Sequence, residues 1–312
     1  MRVLVTGGAG FIGSNFVRQL QRDSMTDVVV LDDLSSGHER NLDGLDVDFR
    51  RGSILDEALL GHACRGVDAI VHLAALPSVP RSVKDPMASH SANATGTLHV
   101  LEAARSVGAH VVVASSSSVY GANPVLPKHE DLRPMPRSPY AVSKLATESY
   151  ALAYQDVFGL PVLAFRFFNV YGPRQAADHA YAAVVPTFLD RALRGEPLLV
   201  HGDGLQTRDF TFVETVTGVL SRAVRQRVAS ESPINLAFGT RHTLLELVAL
   251  LEAALDTSVE VVHTAPRAGD VRDSQADSTR LLRLFPEVVP VGLAAGVGAT
   301  AEWMRHELAI RR

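Results

Sequence analysis

Tyr140 and Lys144 stand four residues apart, so on a helix their side chains share one face. Ser138-Pro139 just before them marks a helix start, because proline fits the first helical position. A free phenol titrates near ~10 and is protonated at neutral pH, whereas an ammonium beside it favours the phenolate. Lowering the phenol by roughly 3 units corresponds to about 4 kcal/mol of differential stabilisation. The pair would then supply a general base. An exposed tyrosine beside a solvated lysine has the same spacing, so the choice depends on what else faces it.

Ser115 to Ser118 form a run of serines directly after a short apolar segment, Val111 to Ala114. If that segment is a strand of a parallel sheet, the run lies at the carboxyl edge, where ligands of such folds bind. A hydroxyl there can bridge a substrate oxygen and a phenolate. Ser115 and Ser118 read better as polar caps of a strand end, and Ser116 as the chemical one.

The elements that must position these groups follow from periodicity. Val3 to Val5, Val28 to Leu31, Ala69 to Leu73, Val111 to Ala114 and Val162 to Phe165 are apolar runs of buried-strand type. Leu98 to Val107 and Tyr140 to Phe158 carry apolar residues at helical spacing. Their alternation predicts an α/β fold, a doubly wound parallel (Rossmann) sheet over residues 1–166. Residues 167–312 are punctuated by Pro173, Pro186 and Pro197 and include a helical LLELVALLEAAL. They read as a smaller mixed α/β substrate lobe, packed on the first domain and able to exchange elements with it. The junction is a natural place for a small-molecule cleft.

Gly7, Gly10 and Gly13 follow the first strand and precede a helical pattern from Ser14 to Leu20. In that context they predict a dinucleotide site: a tight turn, close approach to a pyrophosphate, and an anion at the helix N-terminus. Asp32 closes the second strand about 20 residues later, where a carboxylate accepts from ribose hydroxyls and repels a 2'-phosphate. NAD is therefore expected rather than NADP. The plainer reading makes Asp32 or Asp33 a solvated loop residue.

Composition removes other classes. The 312 residues carry a formal net charge of -4, with 46% hydrophobic and 21% charged residues. That is ordinary globular usage without a basic footprint for nucleic acid. Cys64 is the single cysteine, so neither an intrachain disulfide nor a thiolate metal cluster is expected. With no apolar run of 18 residues or leader-like segment, the expectation is a cytoplasmic protein without membrane association. Cys64 reads as core, His72 as structural, and no metal site is anticipated.

These motifs together resemble the extended short-chain dehydrogenase/reductase family, in its nucleotide-sugar 4-epimerase branch. The resemblance spans nearly the whole chain: TGGAGFIG, LDDLSSG, HLAA, SSSSVYG, SPYAVSK, RFFNVYGPRQ, GDGLQTRDF and RAGDVRDSQAD. It implies a Ser116, Tyr140 and Lys144 triad. It further implies that NAD meets Gly7, Gly10, Phe11, Ile12, Gly13, Asp32, Asp33, Ser35, Gly37, Ser53, Ile54, Leu73, Ala74, Ala75, Asn93 and Phe168, besides Tyr140 and Lys144. A UDP-sugar would meet Ser78, Ser116, Ser117, Tyr140, Asn169, Ala183, Val184, Arg208, Arg267, Asp270 and Ser274. Arginine forks suit the diphosphate. A homodimer through helices near residues 90–107 and 140–158 is also implied.

Related dehydratases carry an Asp-Glu pair where this chain has Ser117 and Ser118, and decarboxylating relatives usually place a glutamate there. Without those carboxylates the expected chemistry is reversible hydride transfer at carbon 4 through a 4-keto sugar. Uronate epimerases typically have Thr at the position of Asn169 and Arg at that of Ala176. Ser274 stands where some relatives have a large tyrosine, leaving room for an N-acetyl group, so UDP-GlcNAc and UDP-GalNAc are expected besides UDP-glucose and UDP-galactose. Pro77 and Ser53 depart from the family pattern near the cofactor. Another NDP-sugar enzyme, a 4-ketoreductase or a uronate epimerase, and a non-catalytic NAD-binding module are the competing classes.

Overall fold

The computed structural model describes residues 1–24, 27–177, 182–265 and 272–310. Its strands in the first lobe are β1 (Val3–Thr6), β2 (Val28–Asp32), β3 (Asp48–Arg51), β4 (Ala69–His72), β5 (His110–Ser116) and β6 (Val162–Phe167). Helices α1 (Phe11–Arg22), α2 (Glu57–Ala63), α3 (Val79–Lys84), α4 (Pro86–His90), α5 (Gly96–Val107) and α6 (Pro139–Phe158) connect them. The five apolar runs are all strands, extended by one to three residues except at Leu73, which lies beyond β4. The weakly apolar Asp48–Arg51 adds an edge strand.

The second half contributes short strands β7 (Val170–Tyr171), β8 (Leu198–His201), β9 (Thr207–Arg208), β10 (Thr211–Phe212), β11 (Ile234–Leu236), β12 (His242–Thr243) and β13 (Val261–Thr264). Its helices are α7 (Val184–Leu193), α8 (Val213–Gln226), α9 (Leu244–Leu255), α10 (Thr279–Leu284) and α11 (Leu293–Ile310). The main sheet has the order β11-β6-β5-β4-β1-β2-β3, and every pairing in it is parallel.

Alternation along the strands divides the core into two layers. Val3, Val5, Val28 and Val30 pack with Phe16 and Leu20 of α1 and Val216 and Leu220 of α8. Leu4, Val29 and Leu31 face Leu60 of α2, Val100 and Leu101 of α5, and Ala151 of α6. Thus β11 and α8 complete the first lobe from the second half of the sequence, crossing the division at residue 166. A third core joins α7, β8, α9 and α11 through Phe188, Val200, Leu251 and Val297. Among the described residues no helix is long and apolar enough to cross a membrane.

Candidate active site

Gly7 has a left-handed φ of 72°, and a Cβ there would stand 2.6 Å from the Ala74 amide nitrogen. A Cβ on Gly13 would meet the Gly7 carbonyl oxygen at 2.1 Å. The turn therefore admits no side chain at either position. Gly10 precedes α1 without any side-chain cap on the first turn, which leaves backbone amides there for an anion. Gly37 lies behind this turn, where a Cβ would meet Ala9 carbon at 2.8 Å.

Asp32, at the end of β2, accepts from Ala9 N at 2.9 Å and Leu34 N at 2.8 Å. Burial raises its pKa while these amides pull it back. It fastens the glycine turn and also reaches the cavity. That cavity, about 580 Å³, runs from Gly7, Gly10, Phe11, Ile12 and Gly13 past Asp32, Asp33, Ser35, Ser53 and Ile54. It continues along Leu73, Ala74 and Ala75 to Ser116, Tyr140, Lys144 and Asn169. One cleft thus gathers the expected triad and most of the expected cofactor residues.

The triad rests on regular elements. Ser138 Oγ accepts from Ala141 N at 3.1 Å and caps α6, with Pro139 at its first position. Ser116 ends β5, and its hydroxyl accepts from Ser118 Oγ at 2.9 Å and Ser118 N at 3.2 Å. Ser118, read from sequence as a cap, is therefore also a donor to the central hydroxyl; its membership of the serine run was the available signal. Beneath them, Arg166 donates to Glu148 at 2.6 and 2.9 Å, and Ser115 Oγ donates to Glu148 at 2.9 Å.

Burial raises the Tyr140 phenol above its ordinary value, and hydrogen bonding with Ser116 lowers it. Lys144 Nζ donates to the Ala114 carbonyl at 2.8 Å, and burial brings its pKa down to about 8. Helical spacing set the shared face but not the direction of the ammonium. Behind the pair His72 bridges Thr6 Oγ1 at 2.8 Å and Thr97 Oγ1 at 3.0 Å. Burial and the Lys144 charge hold His72 down at about 3, so it is neutral.

Several expected residues do not line this cavity. Phe168 is fully buried with Val119, Tyr120, Ala237 and Ala276, while Phe167 lines the cleft; successive side chains at a strand end face opposite ways. Asn93 sits in a π-helical turn, Ser91–Thr95, where its side chain holds Leu76 N at 2.7 Å and Leu76 O at 3.2 Å. Ser78 caps α3 with a φ of 96°. Ser117, Ala183, Val184, Arg208 and Ser274 lie off the wall of the cleft, as does Gly37. Arg267 and Asp270 lie outside the described residues. Sequence reasoning missed Gln175, Pro77 and Leu76, which do line it.

The chain is similar to known proteins over nearly its whole length. A model of the NAD dependent epimerase/dehydratase family matches residues 3–237. The chain belongs to that family. UDP-glucose 4-epimerase of Mycolicibacterium smegmatis is 38% identical, over 98% of this chain and 99% of its own. The structure of Thermotoga maritima UDP-glucose 4-epimerase with UDP-glucose is 36% identical with a TM-score of 0.91, covering 99% of this chain and 100% of that one. A UDP-N-acetylglucosamine 4-epimerase from Methanobrevibacter ruminantium, bound to UDP-N-acetylmuramic acid, has 33% identity, a TM-score of 0.92 and 98% coverage of both chains. The chain is thus an NAD-dependent enzyme of the epimerase type. Its glycine turn, uncapped helix start and Asp32 fit a dinucleotide.

Proposed function

We propose that this enzyme interconverts UDP-glucose and UDP-galactose by epimerisation at carbon 4, and accepts UDP-GlcNAc and UDP-GalNAc as well. The observation that carries the reading is the convergence of Ser116, Tyr140 and Lys144 at one end of the cleft that begins at the glycine turn. NAD, held by the glycine turn and Asp32, would supply the reversible hydride acceptor and a positive charge that favours phenolate. Tyr140 takes the proton of the sugar 4-hydroxyl and returns it after the 4-keto sugar has turned over. Ser116 bridges that oxygen and the phenol. Lys144 lines the same cleft one helical turn from Tyr140, with its Nζ held by the Ala114 carbonyl.

Other features support the finer parts. Ser117 and Ser118 leave no carboxylate beside the triad for elimination, which favours epimerisation over dehydration. Ser274 is small, and the Methanobrevibacter relative is named for an acetylated sugar. Asn169 lines the same cleft as Tyr140; it, Arg208 and Arg267 are proposed to hold the diphosphate sugar, with Ser78, Ser117, Ala183, Val184 and Asp270 around it. Exposed Val142 and Tyr150 on α6 and Val107 on α5 suit a homodimer through these helices. The proposed compartment is the cytoplasm.

The test is to incubate purified protein with UDP-galactose without added NADH. The expected product is UDP-glucose, and UDP-GlcNAc should likewise give UDP-GalNAc. No turnover of UDP-galactose would contradict the epimerase reading and fit a net reductase, whose substrate is a 4-keto sugar together with NADH.

A further inference from the structure

Asp209 lies between β9 and β10 and is fully buried, yet it is away from the wall of the catalytic cleft. Its Oδ2 accepts from Gly239 N at 3.0 Å and Ala276 N at 2.9 Å. Its Oδ1 accepts from Thr240 Oγ1 at 3.1 Å. The Asp209 carbonyl accepts from Asn169 Nδ2 at 3.1 Å. One residue thus fastens three segments distant in sequence: the Asn169 turn, the loop after β11, and the stretch ending at Ala276.

Those segments carry the proposed sugar-nucleotide groups. Asn169 has a left-handed φ of 33°, a conformation that a non-glycine residue keeps only when its surroundings enforce it. Its carbonyl accepts from Thr211 N at 3.3 Å, so the β9–β10 segment holds Asn169 on both sides. Arg208, the neighbour of Asp209, donates to the Arg272 carbonyl at 3.1 Å. Ser274 N donates to the Thr207 carbonyl at 3.1 Å. The donors on the Asp209 carboxylate are amides and a hydroxyl, and they occupy both oxygens. An asparagine of the same shape has one acceptor oxygen and would set an N–H against a donor.

We propose that Asp209 is a positioning residue for the UDP-sugar, locking Asn169, Arg208 and Ser274 into one rigid strap. It touches neither the triad nor the glycine turn, so its contribution falls on substrate binding. This rests on the function proposed above.

The test combines UDP binding by calorimetry, steady-state kinetics with UDP-glucose, and NAD occupancy of the purified protein, for wild type, Asp209→Asn and Thr240→Val. Leaving buried donors unpaired in Asp209→Asn should weaken UDP binding and raise KM by about 10-fold or more. kcat should change less than about 3-fold and NAD occupancy should stay that of wild type, because uniform binding is what is lost. Thr240→Val removes a single donor from the carboxylate and should raise KM by about 2- to 4-fold. Unchanged KM and UDP affinity in Asp209→Asn would overturn the proposal, as would equal losses of UDP and NAD, which mark general unfolding. If Asp209→Asn does not fold, Thr240→Val decides: a raised KM supports the strap and an unchanged one overturns it. A wild type that binds UDP and turns over sustains the function whatever the variants do; one that binds no UDP removes both.

Discussion

His72 and Asp209 are both fully or almost fully buried polar residues, one behind the cofactor end of the cleft and the other behind the proposed substrate end. His72 spans β4, β1 and α5, whose amides are already paired within regular elements, and it meets only two threonine hydroxyls. A neutral imidazole suffices there. Asp209 sits where irregular segments converge with amides that no strand or helix pairs. Burying a charge is justified only when such donors surround it. The cofactor half is thus fixed by repetitive backbone geometry, and the substrate half by one anion that gathers loops.

The sharpest way to break this contrast is Gly13→Ala. The new methyl would meet backbone at 2.1, 2.7 and 2.9 Å, none of which can swing aside. Overpacking of this kind costs about 3 kcal/mol, read as a lower unfolding midpoint in urea. The purified variant should also lose its NAD. A Gly13→Ala enzyme with wild-type stability and full NAD would mean that the turn is not held by close backbone packing.

A smaller effect separates the two anchors by pH. His72 titrates at about 3 when folded against 6.5 ordinarily. Between those values the unfolded chain binds the extra proton, so stability from this group is present above pH 6.5 and is lost as pH falls toward 3. The slope is about 1.4 kcal/mol per pH unit. Asp209 is pushed the other way: burial raises its pKa, so its contribution improves on acidification just above the ordinary Asp value. Urea unfolding of wild type and His72→Asn at pH 7 and pH 5 should show a steeper acid loss in wild type. Parallel losses would remove His72 as a neutral anchor.

The same contrast explains what could be read from the amino acids. The strands from Val3 to Phe165, the helix beginning at Ser138-Pro139 and the glycine turn are local patterns, and the structure places them as expected. Ser116, Tyr140 and Lys144 meet because each sits on such an element. Side-chain alternation at the end of β6 turns Phe167 to the cleft and Phe168 into the core behind it, a choice that the sequence does not display. Spacing puts Lys144 and Tyr140 on one helix face but does not reveal that Lys144 Nζ engages the Ala114 carbonyl. No periodicity connects residue 209 with 239 and 276, so the strap, and the place of Arg208 and Ser274 beside it, is visible only in three dimensions. β11 and α8 crossed the expected division because their partners, β6 and α1, lie far back in the chain.

The most direct measurement is turnover of UDP-galactose by Tyr140→Phe, with NAD content determined on the same sample. Removing one hydroxyl from a residue at the end of the cleft should leave NAD bound and reduce kcat by about 100-fold or more, the scale of a lost general base. Turnover within a few-fold of wild type, with NAD still bound, would contradict the role of that phenol.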